Sequence, residues 1–152
     1  MADSTLKQRI VEDMKSAMRA KDKERLATVR SILAVIKQQE VDTRKDVDDK
    51  DIIVLLDKMC KQRKDSIEQY TAAQRDDLVA IEQKELEIIQ TYLPEQMSDA
   101  EIDALIAEAI SETGADSMKD MGKVMAFIRP KAQGRADMGQ LSGKVKETLI
   151  KS

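Results

Sequence analysis

Apolar residues recur along this chain at steps of three and four, and that period constrains the fold more than any single residue does. Leu6, Ile10, Met14 and Met18 stand four apart, with Val11 beside them. At 3.6 residues per turn, this spacing lays one apolar stripe down a helix. Ser4 or Thr5 is the expected cap. Arg19 and Lys21 crowd the other end, where cations suit the helix dipole.

The same period continues through a second helix opened by Asp22, with Leu26, Val29, Leu33 and Ile36 on one face and fraying expected from Val41 to Lys45. The carboxylates of Asp46 to Asp49 signal a third start. Ile52, Ile53, Leu55, Leu56, Met59, Cys60 and Ile67 then form a wide stripe interrupted by Arg63, the pattern of a helix buried between two neighbours. A break is expected within Thr71 to Asp77. Leu78, Ile81, Leu86, Ile88 and Ile89 predict a fourth helix, which must stop near Tyr92-Leu93 because Pro94 follows.

Pro94 to Met97 reads as a short hinge. Ser98 with Glu101 is a capping box, Ile102, Leu105, Ile106, Ala109 and Ile110 face a core, and Gly114 sits where a helix ends in a left-handed residue. Ser117 with Asp120 loosely repeats the box. Met118, Met121, Val124, Met125 and Ile128 draw another stripe, from which Gly122 and Lys123 fall away. Pro130 is expected to close that helix at Arg129. Lys131, Gly134 and Arg135 follow in a basic turn, and Asp137 caps a last helix carrying Leu141, Val145 and Leu149. The expected fold is therefore all-α, with an amino-terminal four-helix unit over residues 1–94 and a carboxy-terminal three-helix unit over 95–152.

Composition agrees. Only Tyr70, Tyr92 and Phe127 are aromatic, and 36% of the 152 residues are charged, as suits helices packed on helices. The net charge of −3 is unevenly spread: residues 1–45 carry 11 Lys/Arg against 7 Asp/Glu, residues 46–118 carry 7 against 19, and residues 119–152 carry 8 against 3. A basic end on an acidic body permits local docking to a phosphate backbone and argues against indiscriminate coating of nucleic acid. Cys60 is the single cysteine, which excludes an intrachain disulfide and makes the cytoplasm the expected compartment. No apolar run approaches the ~20 residues of a membrane span, and no signal peptide is read at the amino terminus.

The sequence offers little catalytic chemistry. It has no histidine, so the commonest general base and transition-metal ligand are missing, and one cysteine builds no thiolate metal site. Cys60, beside Met59 on an apolar face, reads as core rather than nucleophile. Asp76-Asp77 reads as a helix start rather than an acid/base pair, because adjacent carboxylates on a helix diverge. Gly134, Gly139 and Gly143 fit neither glycine-rich nucleotide fingerprint. No cofactor, metal or catalytic residue is expected. The methionine stripe is read as core packing over a binding groove, while Lys131, Gly134 and Arg135 are either a solvated turn or a phosphate-contacting loop.

Taken in order, Lys61-Gln62-Arg63-Lys64-Asp65-Ser66, Arg75-Asp76-Asp77-Leu78, Tyr92-Leu93-Pro94-Glu95-Gln96, Asp120-Met121-Gly122-Lys123-Val124-Met125 and Gly134-Arg135-Ala136-Asp137 resemble the GatB/YqeY family of small bacterial proteins. Ala126 stands where a second glycine would be equally family-like, implying a slightly less close helix contact. The resemblance implies a two-unit helical protein similar to the helical and tail regions of the B subunit of the glutamine-dependent tRNA amidotransferase, whose tail helps to hold tRNA. Carried over by position, it implies RNA contact by Lys123, Lys131, Gly134 and Arg135, with Lys144 and Lys146 as flanking phosphate ligands. The implied partners are tRNA and a tRNA-modifying or aminoacylating enzyme.

Three functions follow as expectations. The first is a tRNA-binding or amidotransferase-associated accessory protein. The second is a protein-interaction module that docks through its acidic segment or its methionine-rich helix. The third, implied by family association, is a carbon-nitrogen ligase with glutamine as amido-N-donor, for which Cys60 is the only nucleophile to name.

Overall fold

The structure, a computed structural model, describes residues 5–151. Among them all regular structure is helical: α1 (Thr5–Ala20), α2 (Lys23–Thr43), α3 (Asp49–Ala72), α4 (Asp76–Gln90), α5 (Asp99–Thr113), a 3-10 turn (Met118–Asp120), α6 (Met121–Ala132) and α7 (Met138–Lys151). The chain divides into two compact units, Met1–Leu93 and Pro94–Ser152.

In the first unit, α1 to α4 close around Ile10, Val29, Ile32, Ile36, Ile52, Leu56 and Ile89, all at most 1% exposed. Local chemistry sets the ends. Asp22 accepts from the Arg25 amide at 3.2 Å to start α2, and Asp48 with Asp51 forms a reciprocal capping box on α3. Ser4, one of two expected caps for α1, lies outside the described residues. Thr5 is already helical, and its hydroxyl donates to Asp49 Oδ2 at 2.9 Å, so it ties α1 to the start of α3.

Two apolar residues expected in the core turn outward. Met18 is 49% exposed, because the buried face of α1 runs through Ile10 and Ala17 and has passed Met18 by the time the helix ends. Ile81 is 54% exposed, since α4 buries Leu86 and Ile89 instead. The interruption at Arg63 is a clamp: its Nε stands 2.9 Å from Glu85 and 3.6 Å from Glu82, joining α3 to α4.

In the second unit, α5, α6 and α7 surround Ala109, Val124, Ile128, Ala132, Leu141, Val145 and Leu149. Ser98 and Glu101 form the expected box and Gly114 takes φ +66°. Ser117 makes no capping bond; the Asp120 carboxylate instead accepts from the Asp116 amide at 3.1 Å. Met121 and Met125 pack on the core while Met118 is 39% exposed, so the methionine stripe is mainly packing.

Pro130 does not close α6, which continues to Ala132. Proline leaves the Ala126 carbonyl without its amide partner, but both residues lie on the exposed face, where a carbonyl is open to solvent rather than orphaned in a core. Burial of Ala132 at 0% exposure draws the last turn inward. Because Ala126 is exposed, it is not a helix contact, and the looser contact expected from its side chain does not arise there.

Candidate nucleic-acid interface

The residues expected to touch RNA fall into two groups. Gly134 takes φ +78° and is buried, and its carbonyl accepts from Gln96 Nε2 at 2.8 Å. Arg135 carries the same tie further: its carbonyl accepts from the Met97 amide at 2.8 Å, and its Nε donates to the Glu95 carbonyl at 3.0 Å. The glycine loop thus holds residues 95–97, the expected hinge segment, within the second unit. A positive φ at the turn is the reason glycine is there.

The expected cations are mostly answered by acids. Lys131 Nζ lies 3.4 Å from Glu108 and 4.0 Å from the centroid of the Phe127 ring. Arg135 is 3.6 Å from Glu101, and Lys144 is 3.5 Å from Asp103. All three carboxylates belong to α5. Counting along the chain placed α5 in the acidic middle block, yet it folds against the basic block: the unit from Pro94 to Ser152 holds 8 Lys/Arg against 10 Asp/Glu, a net charge of −2. Exposed ion pairs are worth ~1 kcal/mol or less and rearrange easily, but they lower the local positive potential.

What sequence reasoning missed is the outer face of α6. Gly122, Ala126 and Pro130 recur every four residues and run down its exposed middle. At ~100° per residue, Lys123 and Arg129 stand on opposite edges of that strip. Lys119, also exposed, precedes them in the 3-10 turn. No acid occurs between Met121 and Ala136. Asp120 is turned inward, its side chain 16% exposed, and reaches Lys123 only at 4.0 Å. Hydrogen bonding from the Asp116 backbone holds the Asp120 carboxyl below its usual range. The signal was present: an exposed period of four in small residues, flanked by cations. Lys146 is exposed on α7, apart from this strip in sequence.

Catalytic chemistry does not gather around the residues named for it. Cys60, the nucleophile considered for amide transfer, is 3% exposed. Burial pushes its thiol up to about 11, with Lys64 opposing the shift, so it stays protonated at neutral pH. Asp76 and Asp77 begin α4, and Arg75 pairs with Asp77 at 3.1 Å. Among the described residues no group of three His, Cys, Asp or Glu could hold a metal ion, and no helix is long and apolar enough to cross a membrane.

The fold defines a small all-helical protein of two units, the second presenting a narrow strip edged by cations. The Yqey-like protein family model matches residues 7–149, and the chain belongs to that family. Among curated relatives, it is 43% identical over 141 residues to the altered inheritance of mitochondria protein 41 of Lachancea thermotolerans, covering 88% of this chain and 75% of that protein. The protein of the same name in Pyrenophora tritici-repentis is 33% identical, covering 93% of this chain and 79% of its own length. In Saccharomyces cerevisiae the likeness reaches 40% over 92 residues, 60% of this chain and 50% of the relative.

These relatives are named as mitochondrial, which overturns the expected cytoplasmic location. A lone cysteine excludes a disulfide framework without distinguishing one reducing compartment from another.

Proposed function

We propose that this protein is a tRNA-binding accessory module that meets the phosphate backbone with the outer face of α6. The observation carrying this reading is the exposed strip of Gly122, Ala126 and Pro130 edged by Lys123 and Arg129, in a stretch of sequence with no acid between Met121 and Ala136. Small residues let a sugar-phosphate chain approach the helix closely, and cations on both edges reach phosphates on either side. The implied likeness to the tail of the amidotransferase B subunit supports the same partner. Recognition is by backbone shape, because aromatic platforms for stacked bases are scarce. Lys131, Gly134, Arg135 and Lys144 then act as scaffold and secondary charge, with Lys146 an outlying contact. The division into domains 1–94 and 95–152 belongs to the proposal, and limited proteolysis with mass spectrometry of the fragments tests it.

The functional test is filter binding of purified bulk tRNA to the full chain. Lys123→Ala/Arg129→Ala should weaken binding by ~10-fold or more, while Lys131→Ala/Arg135→Ala should cost less. With two phosphates neutralised, log Kd should rise against log salt with a slope of about 1.4 to 1.8. Salt-insensitive binding, or none, ends this reading.

A further inference from the structure

Beyond RNA, we propose that the first unit carries a docking face for an acidic amphipathic helix of a protein partner. Two adjoining features of α2 and α4 define it. One is a groove of about 320 Å³ lined by Ala27, Thr28, Ala80, Ile81 and Ile88. Ile81 belongs to its wall and keeps 54% of its surface exposed, a large apolar side chain left uncovered by its own unit. The other is a row along the outermost face of α2, where Lys23, Ala27, Arg30, Ala34 and Lys37 are all exposed. Their spacing of four, three, four and three is that of one helix face. Ala27 belongs to both features, so the row borders the groove.

The charges around this face fix the chemistry of its occupant. Both acids in the groove lining are already engaged: Glu24 pairs with Lys84 at 3.1 Å and Glu85 with Arg63 at 2.9 Å. On the other flank, Glu40 pairs with Lys7 at 3.1 Å. Among the described residues no ion pair is found for Lys23, Arg30 or Lys37. Arg63 also faces Glu82, so one carboxylate is left over on the α4 side. Against it stand the three unpaired cations of the α2 row, and the uncompensated charge beside the apolar trough is on balance positive. A ligand matching both has large apolar side chains on one face and carboxylates along its edge, which is the helix-in-groove mode. A nucleic acid would satisfy the cation row but leave the aliphatic trough unfilled. A lipid surface fits poorly, because alanine between the cations supplies no large apolar anchor.

The test uses the full chain and a dye-labelled helical peptide of about 18 residues, long enough to span the row at ~1.5 Å per residue. Leucines repeat at three and four on one face of the probe, with glutamates on its flanks. A counterpart has lysine in place of every glutamate, and poly(U) is a third probe. Anisotropy should show binding of the acidic peptide in preference to the basic one. Lys23→Glu/Arg30→Glu should weaken the acidic peptide by ~10-fold or more and admit the basic one, as expected when rim charges set specificity. Ile81→Ser, an exposed change that spares the core, should weaken the peptide without altering its salt dependence. Lys123→Ala/Arg129→Ala should leave peptide binding unchanged, so this proposal and the RNA proposal fail separately. The docking face is overturned if neither peptide binds at millimolar concentration, if both bind equally, or if the charge reversal affects only poly(U).

Discussion

Tyr92 Oη donates to Asp13 Oδ2 at 2.5 Å, joining residues 79 positions apart across the first unit. Arg9 covers the same ring, 5.0 Å from its centroid, and donates from its guanidinium to the Thr91 carbonyl at 3.1 Å. Together these contacts fasten α1 to the segment that ends α4. Tyr92→Phe keeps the ring and removes the hydroxyl, leaving the half-buried Asp13 short of a donor. Chemical denaturation should show a loss of about 1 to 3 kcal/mol.

The same hydroxyl gives the first unit an alkaline limit. Burial, reinforced by the bond to Asp13, pushes Tyr92 up to about 12 from the ordinary 10.0. Burial likewise pushes Cys60 up to about 11 from 9.0. Both groups are held in their protonated forms by the fold. Their contribution is complete below the ordinary pKa and is lost as pH rises through the folded one, so stability should decline from pH 9 toward 12. The slope should not exceed about 1.4 kcal/mol per pH unit for each group. Tyr92→Phe should remove the part above pH 10, and Cys60→Ala the part that begins near pH 9, in melts recorded across that range.

Arg63 offers a test of the α3–α4 clamp. Its side chain is 19% exposed and faces Glu82 and Glu85, which stand three apart on α4. Removing the cation leaves two half-buried carboxylates beside each other. Arg63→Ala should cost about 2 kcal/mol, combining lost pairing with lost packing of the side-chain stem. Adding Glu82→Gln and Glu85→Gln to that variant should recover part of the loss, because it removes the repulsion. Additive losses in a triple-variant cycle would mean the acids are indifferent to Arg63.

What could be read in the sequence was mostly local. Asp22, Ser98, Asp137 and Gly114 lie within a few residues of the groups they cap, so spacing alone placed them, whereas the run Asp46 to Asp49 marked the start of α3 without singling out Asp48 as its cap. Met18 and Ile81 fitted their apolar stripes but left the core, since the arc a helix buries depends on its neighbours. The expected end at Pro130 did not hold because proline removes a single bond at an exposed turn, and α6 runs on to the buried Ala132. The surroundings of the basic loop were not legible in charge counted along the chain, because Glu101, Asp103 and Glu108 of α5 answer Arg135, Lys144 and Lys131 from 23 to 41 residues away. The α6 strip was legible as a period of four in Gly122, Ala126 and Pro130, residues that carry no charge or large apolar group to mark a face.

Two helix ends give opposite predictions for the same physics. Gly114 ends α5 at φ +66° with no atom within 4 Å of where a Cβ would stand. Gly114→Ala therefore meets only the backbone penalty of a left-handed residue, about 1 kcal/mol. Gln74, just past α3, adopts φ +58° with a side chain that this region disfavours. Its amide donates to the Thr71 carbonyl at 3.1 Å, so the conformation completes the helix end. Gln74→Gly should keep that bond, relieve the strain and lose some entropy on folding, for a net gain of about 0.5 kcal/mol. In a unit of this size, thermal melts should resolve both changes, Gly114→Ala lowering the midpoint by about 4 to 8 °C and Gln74→Gly raising it by about half as much. Gln74→Ala separates the causes: it retains the strain, so it should not stabilise, and a gain equal to that of glycine would place the benefit in loss of the glutamine side chain.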